Sequence, residues 1–191
     1  MAATLLTGPA AEPLTLAAAK AFLRLAHDDD DALVTDLIVT ARTHVERVTR
    51  RALITQMWRI VLDHWPSHGR LTVPIAPLRE VAAARVYDGG GVAHVMDLQA
   101  FVPDLAATPP VIGFVPWAMP VPGRSTAGIE IDVDVGYGPA AEDVPEPLRH
   151  AVRVLVAHWY ENRAVVSQDG RSGALPVGVS ALIAPYKVIT L

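Results

Sequence analysis

The chain has no cysteine, which excludes disulfides, thiolate metal sites and cysteine nucleophiles. Charge is sparse: 19% of residues are charged against 51% apolar, and the formal net charge is -4. A protein that grips nucleic acid through phosphates is usually basic or carries a basic stripe, and this chain has neither. No apolar run reaches the roughly 18 residues a membrane span needs. Met1–Pro13 lacks a basic start followed by an apolar block, so no secretory signal is expected. The remaining composition is that of a folded domain, and 191 residues suffice for one sizeable core or a core with a small satellite.

Motifs of chemistry are scarce too. There is no Gly-x-Ser-x-Gly elbow, and Ser125, Ser167, Ser172 and Ser180 have no identifiable base. No two histidines stand at i, i+4 on a predicted helix. His158 and Glu161 are three apart on one and could offer two metal ligands, but a carboxylate-bridged metal pair needs a second such motif. Asp28-Asp29-Asp30-Asp31 lacks the spread ligands and central glycine of a calcium loop, and reads as the cap of the next helix. Asp88-Gly89-Gly90-Gly91 lacks the Lys-Ser/Thr of a phosphate loop and reads as a hairpin turn. Arg47, Arg50 and Arg51 form the most basic patch, which suits a helix end as well as a phosphate. The residues thus indicate no catalytic, cofactor or metal site. Two alternatives stay open: a small hydrolase or metal-dependent enzyme on the His158/Glu161 face, and a nucleic-acid-binding regulator using Arg47 to Arg51.

The strongest element is Pro145–Arg163. Leu148, Val152, Leu155, Val156 and Trp159 recur at helical spacing, two prolines suit the first turn, and Glu146 suits the positive end of the dipole. Asp31 to about Arg50 carries a second stripe of Leu33, Val34, Leu37, Ile38, Ala41, Val45 and Val48, with Arg42, Glu46, Arg47 and Arg50 facing outward. Thr15 caps a short helix to about Leu25 that buries Leu16, Ala19, Phe22 and Leu23. Met1–Pro13 has no period and is expected to be a loose arm. Between the helices the period shortens. Strands are expected at 54–65, 70–73, 81–87, 92–98 and 111–115, and Trp117 is expected to pack down as an anchor. Ile129, Ile131, Val133 and Val135 alternate with Glu130, Asp132 and Asp134, a half-buried strand with an acidic outer face. Ser167–Gly173 reads as a polar loop, and 175–184 contains a short helix ended by Pro185.

These elements predict an α+β fold: a helical bundle from the N- and C-terminal segments with an inserted antiparallel β subdomain. Residues 1–52 supply the arm and the first bundle helices, 53–138 the β subdomain, and 139–191 the long helix and a terminal tail. The tail Pro185, Tyr186, Lys187, Val188, Ile189, Thr190 and Leu191 is apolar and β-prone. It is expected to bind a partner by adding a strand to a neighbouring sheet edge.

Across nearly its whole length the sequence resembles the head–tail connector, or adaptor, proteins of long-tailed phages and gene transfer agents. The resemblance is carried by Leu14–Lys20 with Leu23-Arg24-Leu25, Asp30–Leu33, Arg51–Trp58 and Gly136-Tyr137-Gly138. Val144–Arg149, Ala157–Arg163, Leu175-Pro176 and Leu182–Tyr186 complete it. Ala18 departs from it where the family commonly has glutamate, removing the reciprocal contact of a capping box. Arg50 departs where a glycine often stands. The resemblance implies a structural virion protein, not an enzyme, made in the host cytoplasm and placed at the head–tail junction. It implies a dodecameric ring beneath the portal, contact with a tail-side stopper or tail-completion protein, and a channel through which DNA passes without sequence-specific binding. No cofactor or membrane is implied.

Overall fold

The computed structural model describes residues 1–162 and 176–189. Among the described residues the chain forms eight β-strands and four α-helices, an α+β fold with antiparallel sheets. They fall into two units. One holds Met1–Pro9, Thr55–Tyr137 and the described part of Val188–Leu191; the other holds Ala10–Ile54 and the described part of Gly138–Lys187.

In the helical unit, α1 (Leu16–Leu23) starts at Thr15, whose hydroxyl accepts from the Ala18 amide at 3.2 Å. Half of a capping box therefore survives the loss of glutamate at position 18. α2 (Asp31–Thr49) and α3 (Glu146–Glu161) pack together, and their stripes supply most of the core: Val34, Ile38, Ala41 and Val45 from α2, and Leu148, Ala151, Val152, Leu155 and Val156 from α3. α4 (Val177–Ile183) packs on α3 and buries Val179 and Ile183. α2 ends at Arg50 in the left-handed conformation, φ 56°, with its amide bonded to the Glu46 carbonyl. Arg50 thus adopts the left-handed geometry that favours glycine at a helix end.

Two expectations in this unit are corrected. Phe22 is exposed, and Arg153 lies over its ring at 5.9 Å. Arg42 does not face outward: it is 9% exposed and reaches Glu12 and Glu46, each at 2.7 Å. Two carboxylates satisfy the guanidinium, so it can be buried. Glu46 also accepts from the Leu53 amide at 2.8 Å, tying α2 to the chain leaving it. Lys20 pairs with Asp28 and Asp31, the Tyr160 hydroxyl bonds Asp30, and His27 lies 3.6 Å from Asp29, so all four consecutive aspartates have a neighbour of this kind within this unit.

The sheet unit is built on β8 (Ile129–Val135). It pairs with β2 (Gln56–Leu62) on one side and β4 (Leu78–Tyr87) on the other; β1 (Ala2–Thr7) and β5 (Ala93–Val95) form the edges, giving the order β1-β2-β8-β4-β5. A smaller sheet has the order β3-β7-β6, from β3 (Arg70–Thr72), β7 (Val111–Phe114) and β6 (Phe101–Asp104). Ile129, Ile131, Val133 and Val135 are all fully buried, as their alternation predicts. Trp65, Phe101 and Phe114 stack, with ring centroids 5.2 to 6.5 Å apart. The β4–β5 turn is made by Asp88, whose carboxylate accepts from the Gly90 and Val92 amides at 2.9 Å, and by Gly91 at φ 84°. Gly123 packs against this turn so closely that a Cβ would meet the Gly89 nitrogen at 2.1 Å.

Ala2–Thr7 is not a loose arm: it pairs antiparallel with β2 from Ala2↔Val61 to Thr7↔Met57. Its six side chains are all exposed, which is why no buried-face period marks it. Trp117 does not pack down; it lies in a 3-10 turn (Pro116–Ala118) and is 89% exposed.

Candidate interaction surfaces

Glu130, Asp132 and Asp134 form a carboxylate row on β8. It is not a bare acidic face. Arg59 of β2 stands directly opposite Asp132 and binds it through Nε and Nη2 at 2.7 and 3.0 Å, while Arg85 of β4 reaches the same carboxylate at 2.7 Å. Arg59 also lies 3.1 Å from Glu130, and Arg79 lies 3.9 Å from Asp134. Asp132 itself is 4% exposed. Burial pushes its carboxyl pKa up, but hydrogen bonds from the two arginines outweigh burial and hold it below the usual range. Asp134 lacks such close partners, and burial leaves its pKa raised. The face is thus a neutralised ladder, with no vacant set of carboxylates for a cation. Among the described residues no cluster of three or more His, Asp or Glu could hold a metal ion.

His158 and Glu161 are not brought together into a site. Asn162 turns its amide onto the His158 carbonyl at 2.7 Å, and Glu161 is exposed on the last turn of α3. The arginine patch is dispersed: Arg47 is exposed, Arg50 caps α2, and Arg51 donates to the Tyr186 carbonyl at 2.7 Å.

That last bond concerns the tail. Pro185 and Tyr186 lie in a 3-10 turn (Ala184–Tyr186), and Lys187 is extended. Val188 is buried and belongs to the sheet unit, whereas Ile189 is 75% exposed. Thr190 and Leu191 lie outside the described residues, as do Arg163 and the expected loop Ser167–Gly173.

A feature without a sequence signal is an apolar surface near the β4–β5 hairpin. Two neighbouring grooves share Ala100, Ala118 and Met119, and exposed Trp117, Val121, Val95 and Val102 lie on or beside them. The residues are scattered over 95–121 and converge only through the fold.

Residues 13–77 match the family model of the phage gp6-like head-tail connector proteins. No curated protein matches. The whole chain is similar to a chain in the neck of an empty gene transfer agent (GTA) particle of C6 symmetry. The TM-score is 0.85 at 28% identity, covering 100% of this chain and 97% of that one. A chain in the virion of the native GTA particle matches with TM-score 0.85 and 27% identity over the same shares. One in the neck of the native particle with C12 symmetry matches with TM-score 0.75 and 28% identity, again covering 100% and 97%. On the family match over residues 13–77 and the full-length likeness together, the chain is similar to the head–tail connector proteins of phages and to the neck chains of gene transfer agent particles.

Proposed function

We propose that the protein is a structural head-to-tail adaptor that forms a homo-oligomeric ring at the head–tail junction of a phage or phage-like particle. The observation that carries this is the full-length likeness to neck chains of GTA particles. Similar chains lie in the neck of GTA particles, and the role of this one is architectural, not enzymatic.

Finer features extend this reading. The ring has twelve copies, by analogy with the C12 neck. It sits between the portal and a tail-side stopper or completion protein, and DNA passes through its channel without sequence-specific contact. The net charge of -4 and the absence of a basic stripe support that passage. Salt-sensitive, micromolar duplex binding by the free chain would count against it. The helices of 1–52 and 139–191 form one bundle, with the β subdomain of about 53–138 inserted between them. Pro185 to Leu191 reaches the portal or an adjacent subunit; the exposed Ile189 supports this, and Val188 anchors the base of the arm.

The test is complementation. Particles made without this protein should yield DNA-filled heads that fail to join tails. The full chain should restore joining, and a chain lacking Tyr186 to Leu191 should fold but fail to restore it. Normal joining without the protein would overturn the adaptor reading. Joining by the truncated chain would overturn only the role of the tail.

A further inference from the structure

A ring of more than two copies cannot be closed by a patch meeting itself, which stops at a dimer. It needs two different surfaces on each copy, one meeting the other around the ring. The five-stranded sheet carries two such surfaces at its opposite edges. In the order β1-β2-β8-β4-β5, the edges lie four strand spacings apart, about 19 Å at ~4.8 Å per step.

At the β5 edge lies a groove of about 410 Å³, lined by His94 and Val95 of β5 and by Val121; a second, of about 430 Å³, adjoins it through Ala100, Ala118 and Met119 and runs over the smaller sheet. Val95 of β5 is 79% exposed, and Trp117 and Val121 are each 89% exposed. An exposed Trp beside an apolar groove, next in sequence to Ala118 in its lining, has the make-up of an interface centre. At the other edge, β1 pairs with β2 and, among the described residues, with no second strand, so it is an edge strand. Leu5 and Leu6 on it are exposed. The first charged side chain of the sequence is Glu12, so β1 itself brings no charged side chain into the groove; the groove's own Asp88 is already paired with His94.

We propose that β1 of one copy lies along the β5 edge of the next, in the groove bordered by Val95, Trp117 and Val121, and that this head-to-tail contact repeats around the ring. The occupant is a second copy of this chain. The inference rests on the ring reading above and adds which surfaces close the ring.

The absence of cysteine makes the test direct. Leu6→Cys and Val95→Cys, singly and together, are introduced into the full chain, and ring formation is followed by native mass spectrometry, alone and on portal-bearing heads. Oxidation should convert the double variant into a covalent ladder beyond the dimer, with each single variant remaining monomeric on a non-reducing gel. Trp117→Asp should reduce assembly at least tenfold without shifting the melting temperature of the free chain. Rings without a ladder in the double variant would overturn this contact and leave the ring reading intact. Dimers from a single variant would show self-pairing of one edge and overturn it also. No ring under either condition would overturn the ring reading, and this contact with it.

Discussion

Arg59 on β2 and Asp132 on β8 are direct cross-strand neighbours, joined by paired hydrogen bonds of 2.7 and 3.0 Å, and Arg85 closes on the same carboxylate from the other side. One aspartate thus holds three adjacent strands together at mid-sheet.

Removing it leaves two arginines without their main partner. Asp132→Ala should cost about 3 kcal/mol, the lower part of the range for breaking a buried pair, because both arginines keep some solvent access. The urea midpoint measures this. The pH dependence has a definite sign. The folded-state pKa of Asp132 is lowered, so its contribution is complete above the unfolded value of about 3.9 and is lost as pH falls through the folded pKa. Asp132→Asn should therefore flatten the loss of stability below about pH 4.

His44 on α2 meets the Trp159 ring edge-on at 5.9 Å, and its buried Nε2 makes no hydrogen bond among the described residues. Burial, then the charge of Arg47, lowers its pKa. The neutral ring is favoured in the folded state, so the unfolded chain takes up the proton first. Stability should fall as pH drops below about 6.5, the unfolded value. Melting temperatures of wild type and His44→Gln at pH 7.5 and 5.5 check this: the gap between the two pH values should shrink in the variant.

Leu155 is fully buried in α3. Leu155→Ala should destabilise the helical unit by about 2–5 kcal/mol. An unchanged denaturation midpoint would contradict the packing of α3 described above.

Much of this fold is legible in the sequence because it is local. The stripes of α2 and α3, the Asp-Gly-Gly-Gly turn and the alternation of β8 lie within a few residues of themselves. What escaped depends on register or distance. β1 buries no side chain, and its partner lies some fifty residues away, so nothing nearby marks it as a strand. Asp132 reads as an outward carboxylate because Arg59 and Arg85 become its partners only once three strands are aligned. Arg42 reads as a surface arginine until Glu12 is brought to it from thirty residues before. Trp117 reads as a core anchor from its size, yet its 3-10 turn presents it to solvent. For the same reason the apolar surface around it has no motif.

Whether the protein is a ring at the head–tail junction is decided by cryo-electron microscopy of particles carrying a tagged copy. Such particles should show a closed ring of this chain at the head–tail junction, with its axis on the DNA path. Intact, tailed particles without density for the chain at that junction would contradict it.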